Sequence, residues 1–132
     1  MYFNTHTHLN SDELYANRDI FIQHAIASNV EYIVVAGYDL SSSKRAVEIA
    51  CEYPFIYATV GISPNDCKDT TEDDLNEIET LLQNPRVVAL GEIGLDYYWD
   101  TLYILVGDLL WELLQQVGRG PAGLILAFDP PK

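Results

Sequence analysis

Basic residues are scarce. The chain has 7 Lys and Arg against 20 Asp and Glu, a net charge of −13 over 132 residues. Non-specific nucleic-acid binding relies on Lys and Arg neutralising phosphates, so this surface repels a polyanion on average. A phosphate substrate then needs a local cationic centre, for which a bound metal is the obvious candidate. Taken alone, the acidity does no more than aid solubility. Cysteine is scarce too. Cys51 and Cys67 show no C-x-x-C or zinc-ribbon spacing and read as reduced thiols of a cytoplasmic chain, with a disulfide still open. No apolar run approaches the roughly 18 residues of a membrane span, and the start Met1 to His6 lacks the regions of a signal peptide. The expectation is a soluble, cytoplasmic protein with no membrane partner. No Gly-x-Gly-x-x-Gly follows the first strand, which argues against dinucleotide binding. What is present is a 48% hydrophobic composition, enough for a real core.

Strand and helix signals alternate. Tyr2 and Phe3 begin a short strand that runs into Asn4-Thr5-His6-Thr7-His8. Arg18 to Ser28 places Ile20, Phe21, His24 and Ala27 at helical spacing, and Asn29 is a suitable stop because Asn tolerates the left-handed conformation. Residues 31 to 37 are apolar and β-branched, as in a strand buried on both faces. Ser41 to Glu52 reads as a second helix with its serines as N-caps, and Phe55 to Gly61 as a third strand. Thr71 and Asp74 fit a capping box opening a third helix that Pro85 ends, and Arg86 to Gly91 gives the fourth strand. Such alternation is the signature of parallel β/α units. An open doubly wound sheet and a barrel share it, and both gather active-site groups at the carboxyl ends of strands. A full barrel takes roughly 200 residues or more, so any barrel here is incomplete. Beyond Asp100 the chain turns strongly apolar, with a helical stretch from Gly107, a break at Gly118 to Pro121 and a fifth strand around Leu124 to Phe128.

His6 and His8 are the strongest chemical signal. Two apart in a strand, they point to one face, and neutral imidazole is a common metal ligand; the plainer alternative is an exposed polar turn. Glu92 follows the fourth strand between Gly91 and Gly94, where a carboxylate can bridge two ions, or else be a solvated acid. Ser63 and Asn65, around Pro64, can offer hydrogen bonds to a substrate or serve only the turn. Asp96 and Tyr97 can orient ligands, or Asp96 can cap a following segment. His24 reads as a packing or surface histidine, and Tyr97-Tyr98-Trp99 as packing.

The segments Asn4-Thr5-His6-Thr7-His8-Leu9-Asn10, Val60-Gly61-Ile62-Ser63-Pro64-Asn65-Asp66 and Gly91-Glu92-Ile93-Gly94-Leu95-Asp96-Tyr97-Tyr98 occur in this order. Together they resemble the TatD family of metal-dependent deoxyribonucleases, over about residues 1–100. The resemblance implies a TIM-barrel hydrolase in which His6 and His8 bind one divalent ion and Glu92 bridges it to a second. Magnesium, manganese or zinc then activates a water against a phosphodiester, with 3′-to-5′ exonuclease action on DNA. Three departures stand out. Asn4 replaces the family's usual Asp, Ser63 takes the histidine position of its G-x-H-P motif, and no histidine follows His24. Three ligands are too few for the family's pair of ions, so one ion or none is expected here.

The resulting expectation is a single α/β domain over 1–132, of parallel β/α units of TIM-barrel type and about half a barrel in extent. Residues 1–100 are the TatD-like part and 101–132 a divergent apolar tail. Its function reads as a metal-dependent DNase-type hydrolase, with DNA as substrate, truncated and inactive alone unless a partner completes it. A hydrolase of another ester or amide, or a non-catalytic open β/α module, are the alternatives. Self-association is expected through exposed sheet edges or the apolar tail.

Overall fold

The computed structural model describes residues 1–93. Expectations for Asp96, Tyr97, the aromatic cluster, the apolar tail and the fifth strand lie outside the described residues. Within them, β1 (Tyr2–Thr7) leads through a short 3-10 turn at Tyr15–Asn17 into α1 (Arg18–Ala27). Then follow β2 (Val30–Ala36), α2 (Leu40–Glu52), β3 (Ile56–Val60), α3 (Glu72–Leu81) and β4 (Val87–Leu90). Asn29 ends α1 with φ at 62°, the left-handed turn expected of it. The N-cap of α2 is Asp39 rather than the serines. Its carboxylate accepts from the Ser42 backbone while the Ser42 hydroxyl accepts from the Asp39 N–H. The serine lies one turn inside the helix because Asp39 is the last residue with extended backbone. Thr71 and Asp74 form the capping box of α3.

All strand pairs are parallel and the order is β1-β2-β3-β4, each strand beside its sequence neighbour. A doubly wound sheet reverses direction at a switch point; this one winds a single way, as a barrel does. The described elements are therefore three successive β/α steps and a fourth strand of a TIM-barrel wall, an incomplete barrel.

The core lies between sheet and helices. Ile33 and Val35 of β2 and Ile56, Ala58 and Val60 of β3 pack with Ile22, Ala46, Ile49, Ala50 and Ile78 from the helices. The structure selects the inner face of α1 and corrects one expectation. In α1 the residue that meets the core is Ile22, with Ala25 partly buried beside it, whereas Ile20 is 55% exposed and Phe21 and His24 also face solvent. Periodicity alone admits either face when apolar residues surround a helix, as they do here. Nor is β2 buried on both faces. Tyr32 is exposed, as are Tyr2 and Phe3 of β1, because the described helices cover one face of the sheet. On the other face Phe3 stacks on Tyr32 at 5.1 Å, Tyr57 lies 6.3 Å from Tyr32, and the Arg86 guanidinium sits 4.4 Å over Tyr57. Among the described residues, no helix is long and apolar enough to cross a membrane.

The α3 cap yields a pH prediction. The Thr71 backbone N–H, and then the Thr71 hydroxyl, hold the Asp74 carboxyl below its ordinary pKa. A depressed carboxylate adds stability that is complete above its unfolded pKa, about 3.9, and is lost as pH falls through the lower folded value. The difference in urea midpoint between the parent chain and Asp74→Ala should be present at about pH 6 and vanish near about pH 2. A difference independent of pH would show that charge plays no part in this cap.

Candidate metal centre

The carboxyl ends of the strands carry the polar groups. β1 delivers His6 and, one residue past its end, His8; the chain leaving β4 delivers Glu92. Glu92 Oε1 lies 2.8 Å from His6 Nε2 and 3.5 Å from His8 Nε2, and the two Nε2 atoms are 3.1 Å apart. All three groups are partly open to solvent. Adjacent strands in a sheet are about 4.8 Å apart, so β1 and β4 in a flat sheet would stand about 14 Å from each other. Curling of the sheet and the path of residues 91–92 close that gap. Gly91 N–H donates to the Val60 carbonyl and Glu92 N–H to the Gly37 carbonyl, both at 2.8 Å. The chain after β4 thus folds inward across β3 to the tip of β2.

Glycine makes that path open. A Cβ on Gly61 would lie 2.7 Å from the Gly91 carbonyl carbon and 2.8 Å from the Glu92 oxygen. One on Gly37 would strike the backbone of Ser43 at 2.7 Å. The Ser43 hydroxyl in turn bonds both the N–H and the carbonyl of Gly61 at 3.1 Å, so the first turn of α2 braces both strand ends.

The donor set suits a cation. His8 Nδ1 stands 3.2 Å from the Ala36 carbonyl, which can only accept, so this bond places the proton on Nδ1. In the neutral ring Nε2 then carries a lone pair towards His6 and Glu92. Electron-pair donors converging this closely require a proton or a cation between them. Ligands at about 2.1 Å from a tetrahedral ion stand about 3.4 Å from one another, close to the spacing found. Acidic neighbours add negative field. Burial, then the Asp39 and Glu92 charges, push the Asp66 carboxyl above its ordinary pKa against a Ser63 hydrogen bond. Asp66 as a residue is exposed, so its carboxyl is shielded more than its surface area indicates and the shift carries little energy. Tyr38 meets the His8 ring edge-on at 5.4 Å. Burial chiefly, with Asp39, Asp12 and Asp66, raises the pKa of its phenol and keeps it a proton donor beside the site.

Of the residues singled out from sequence, His6, His8 and Glu92 come together. Asn4 is exposed, and its side-chain oxygen accepts from the His6 N–H at 3.3 Å. Ser63 is buried in its own turn, accepting from the Asn65 N–H at 3.3 Å, and Asn65 is exposed; these contacts are those of a turn. Sequence reasoning did not single out Asn10, Tyr38 or Asp66. Asn10 and Asp66 lie within the matched motifs, while Tyr38 carries only the cue of a strand-end position.

A family model described as TatD related DNase matches residues 3–103. An uncharacterised metal-dependent hydrolase of Bacillus subtilis, YabD, is 47% identical over 100 residues, which are 76% of this chain and 39% of that protein. A second, MG009 of Mycoplasma genitalium, is 36% identical over 124 residues, 89% of this chain and 46% of that protein. The 3′-5′ ssDNA/RNA exonuclease TatD of Salmonella typhimurium is 30% identical over 95 residues, 72% of this chain and 36% of that protein. Among solved structures, YJJV, a TatD homologue from Escherichia coli K12, superposes with a TM-score of 0.84 at 26% identity over 95% of this chain and 49% of its own. The chain thus spans less than half the length of each of these relatives.

The bare approach at Gly61 predicts a defined effect. Gly61→Ala must displace the Gly91–Glu92 backbone, costing about 1–3 kcal/mol as other overpacking changes do and drawing Glu92 away from His6. A lower urea midpoint together with weaker zinc binding is the expected result; unchanged zinc affinity would mean that this approach does not set the position of Glu92.

Proposed function

We propose that this chain, which belongs to the TatD-related DNase family, contributes the opening part of a metal-dependent hydrolase site of DNase type. His6, His8 and Glu92 hold one divalent ion in this reading, and the observation that carries it is the convergence of their three donor atoms within 4.8 Å. Such an ion supplies a Lewis acid and brings the pKa of coordinated water towards neutrality. The set of two imidazoles and one carboxylate favours zinc over magnesium, which prefers all-oxygen surroundings.

The chain's own groups divide the work. Ala36 orients His8 through its Nδ1 proton. Asn4, bonded to the backbone of His6, steadies the turn of β1 that carries it. Glu92 points Oε1 at the imidazoles, and its second oxygen would serve as the proton acceptor for an attacking water, which makes it the catalytic group. The substrate is a phosphodiester of DNA, in keeping with relatives named as ssDNA/RNA exonucleases. With a net charge of −13, the protein repels a polyanion on average, so substrate approach depends on the ion itself.

Calorimetric titration with zinc and with manganese tests this reading. The parent chain is expected to bind one ion, and His6→Ala and Glu92→Gln to lose at least about tenfold in affinity. Metal-dependent loss of nucleotides from the 3′ end of single-stranded DNA should accompany binding and vanish in Glu92→Gln. A chain that binds neither metal would instead be the non-catalytic β/α module.

Two further features belong to the proposal. Free thiols such as Cys51 and Cys67 persist in the reducing cytoplasm, where we place the protein. Exposed β1, with Tyr2 66% and Phe3 60% accessible and only β2 beside it among the described residues, pairs with a second copy along its open edge. Sedimentation velocity should show a concentration-dependent dimer that Phe3→Lys weakens; a monomer at all concentrations would rule this out.

A further inference from the structure

We infer that Asn10 is a positioning residue for the metal centre, acting through the Ala36 carbonyl on the tautomer and aim of His8. The inference rests on the proposed ligand role of His8 and goes beyond it to a residue that touches no ion. Asn10 is fully buried, 0% exposed. Its side-chain amide donates to the Ala36 carbonyl at 2.8 Å and to the Ser42 carbonyl at 2.9 Å. Two carbonyl oxygens on one side require the NH2 group there, so chemistry fixes the amide orientation. Its oxygen is buried with no hydrogen-bond partner among the described residues, which makes Asn10 a costly residue for filling space alone. The two donors are the reason for its presence.

Those donors act on one point. The Ala36 carbonyl has two lone pairs; Asn10 engages one and His8 Nδ1–H, at 3.2 Å, takes the other. Asn10 also ties that peptide to the first turn of α2 through Ser42, which the Asp39 capping box holds. The peptide at the tip of β2 is therefore held from two sides, and the His8 ring is aimed with Nδ1 protonated and the Nε2 lone pair towards His6 and Glu92. The next carbonyl along, Gly37, accepts the Glu92 N–H. A loosened β2 tip thus disturbs ligands from both β1 and β4. Outer partners that fix the tautomer of a ligating histidine typically change metal affinity 10- to 100-fold when removed.

The test uses the full chain, labelled with nitrogen-15, with His8 resonances assigned by their loss in His8→Ala. In metal-free protein, long-range nitrogen–proton spectra should show His8 as the Nδ1–H tautomer, and Asn10→Ala should turn it into a mixture. Zinc affinity of Asn10→Ala should fall by about 10- to 100-fold. In Thr71→Ala, which removes the cap of α3 instead, tautomer and affinity should both stay unchanged. Should Asn10→Ala fail to fold, the parent chain still decides. Saturating zinc must then shift the Asn10 side-chain amide, since coupling between two sites is reciprocal. An Nε2–H tautomer in the parent chain, a folded Asn10→Ala with parental tautomer and affinity, or an Asn10 amide indifferent to zinc each overturns the inference. Absence of zinc binding by the parent chain overturns the metal reading instead, while the metal-free tautomer and its response to Asn10→Ala still judge the role of Asn10.

Discussion

Two successive peptide carbonyls at the end of β2 hold the site together. Ala36 receives the imidazole of His8, and Gly37 receives the backbone of Glu92. The strands that carry these side chains are not neighbours, since β2 and β3 lie between them. Carbonyls at strand ends have no further ladder partner, and buried ones must be satisfied by some donor. In this fold the donors are the ligand-bearing residues themselves. Barrel curvature brings them near, and unfilled space at Gly37 and Gly61 lets the backbones touch. A larger residue at either glycine would push the β2 tip away from α2 or the β4 exit away from β3.

This arrangement also bears on charge. Glu92, Asp66 and Asp39 collect at one end of an already acidic protein. Such a cluster opposes its own folding through repulsion unless a cation relieves it. The two histidines give that cation a directional seat where acidic side chains alone would give a diffuse one. In the proposed reading, affinity for an ion and attraction of a phosphodiester become a single property, because a bound ion would place positive charge where Glu92, Asp66 and Asp39 gather. The same logic explains how a chain poor in Lys and Arg can belong to a family whose relatives are named as nucleases.

Much of the frame was legible in the residues. β-branched runs marked β2, β3 and β4, Asn29 marked the end of α1, and Thr71 with Asp74 marked the start of α3, because each of these is set by local physics. Strand order was not legible, since a parallel β/α pattern specifies crossovers but not which strands become neighbours. The inward face of α1 was not legible because Ile20, Phe21, Ile22 and Ile26 surround that helix almost evenly, and tertiary contact with the sheet chose Ile22. Asp39 was passed over as a cap in favour of the serines after it, although both are good capping types. Around the site, side chains of distinctive chemistry were readable: His6, His8 and Glu92 were singled out and lie together. The role argued for Asn10 was not readable, because its partners are the backbone oxygens of Ala36 and Ser42, and a carbonyl leaves no mark on residue type.

The opposite end of the sheet shows the same device used for stability alone. Arg86 Nε donates to the Ala50 carbonyl at 3.0 Å, and Nη2 donates to the carbonyls of Tyr53 at 3.0 Å, Pro54 at 2.8 Å and Ile56. One guanidinium thereby satisfies the loose carbonyls between α2 and β3 and ties them to the start of β4. Arginine suits that task because its charge is permanent and its donors form a rigid fork. At the carboxyl ends the corresponding carbonyls are met by Asn10 and His8, whose donors are fewer and whose ring has two tautomers. At the first end the Arg86 donors are turned to backbone carbonyls. The second retains electron pairs on His6, His8 and Glu92, the groups on which the proposed chemistry rests. What separates the two ends of the sheet in this protein is therefore the identity of the donors that close the strands.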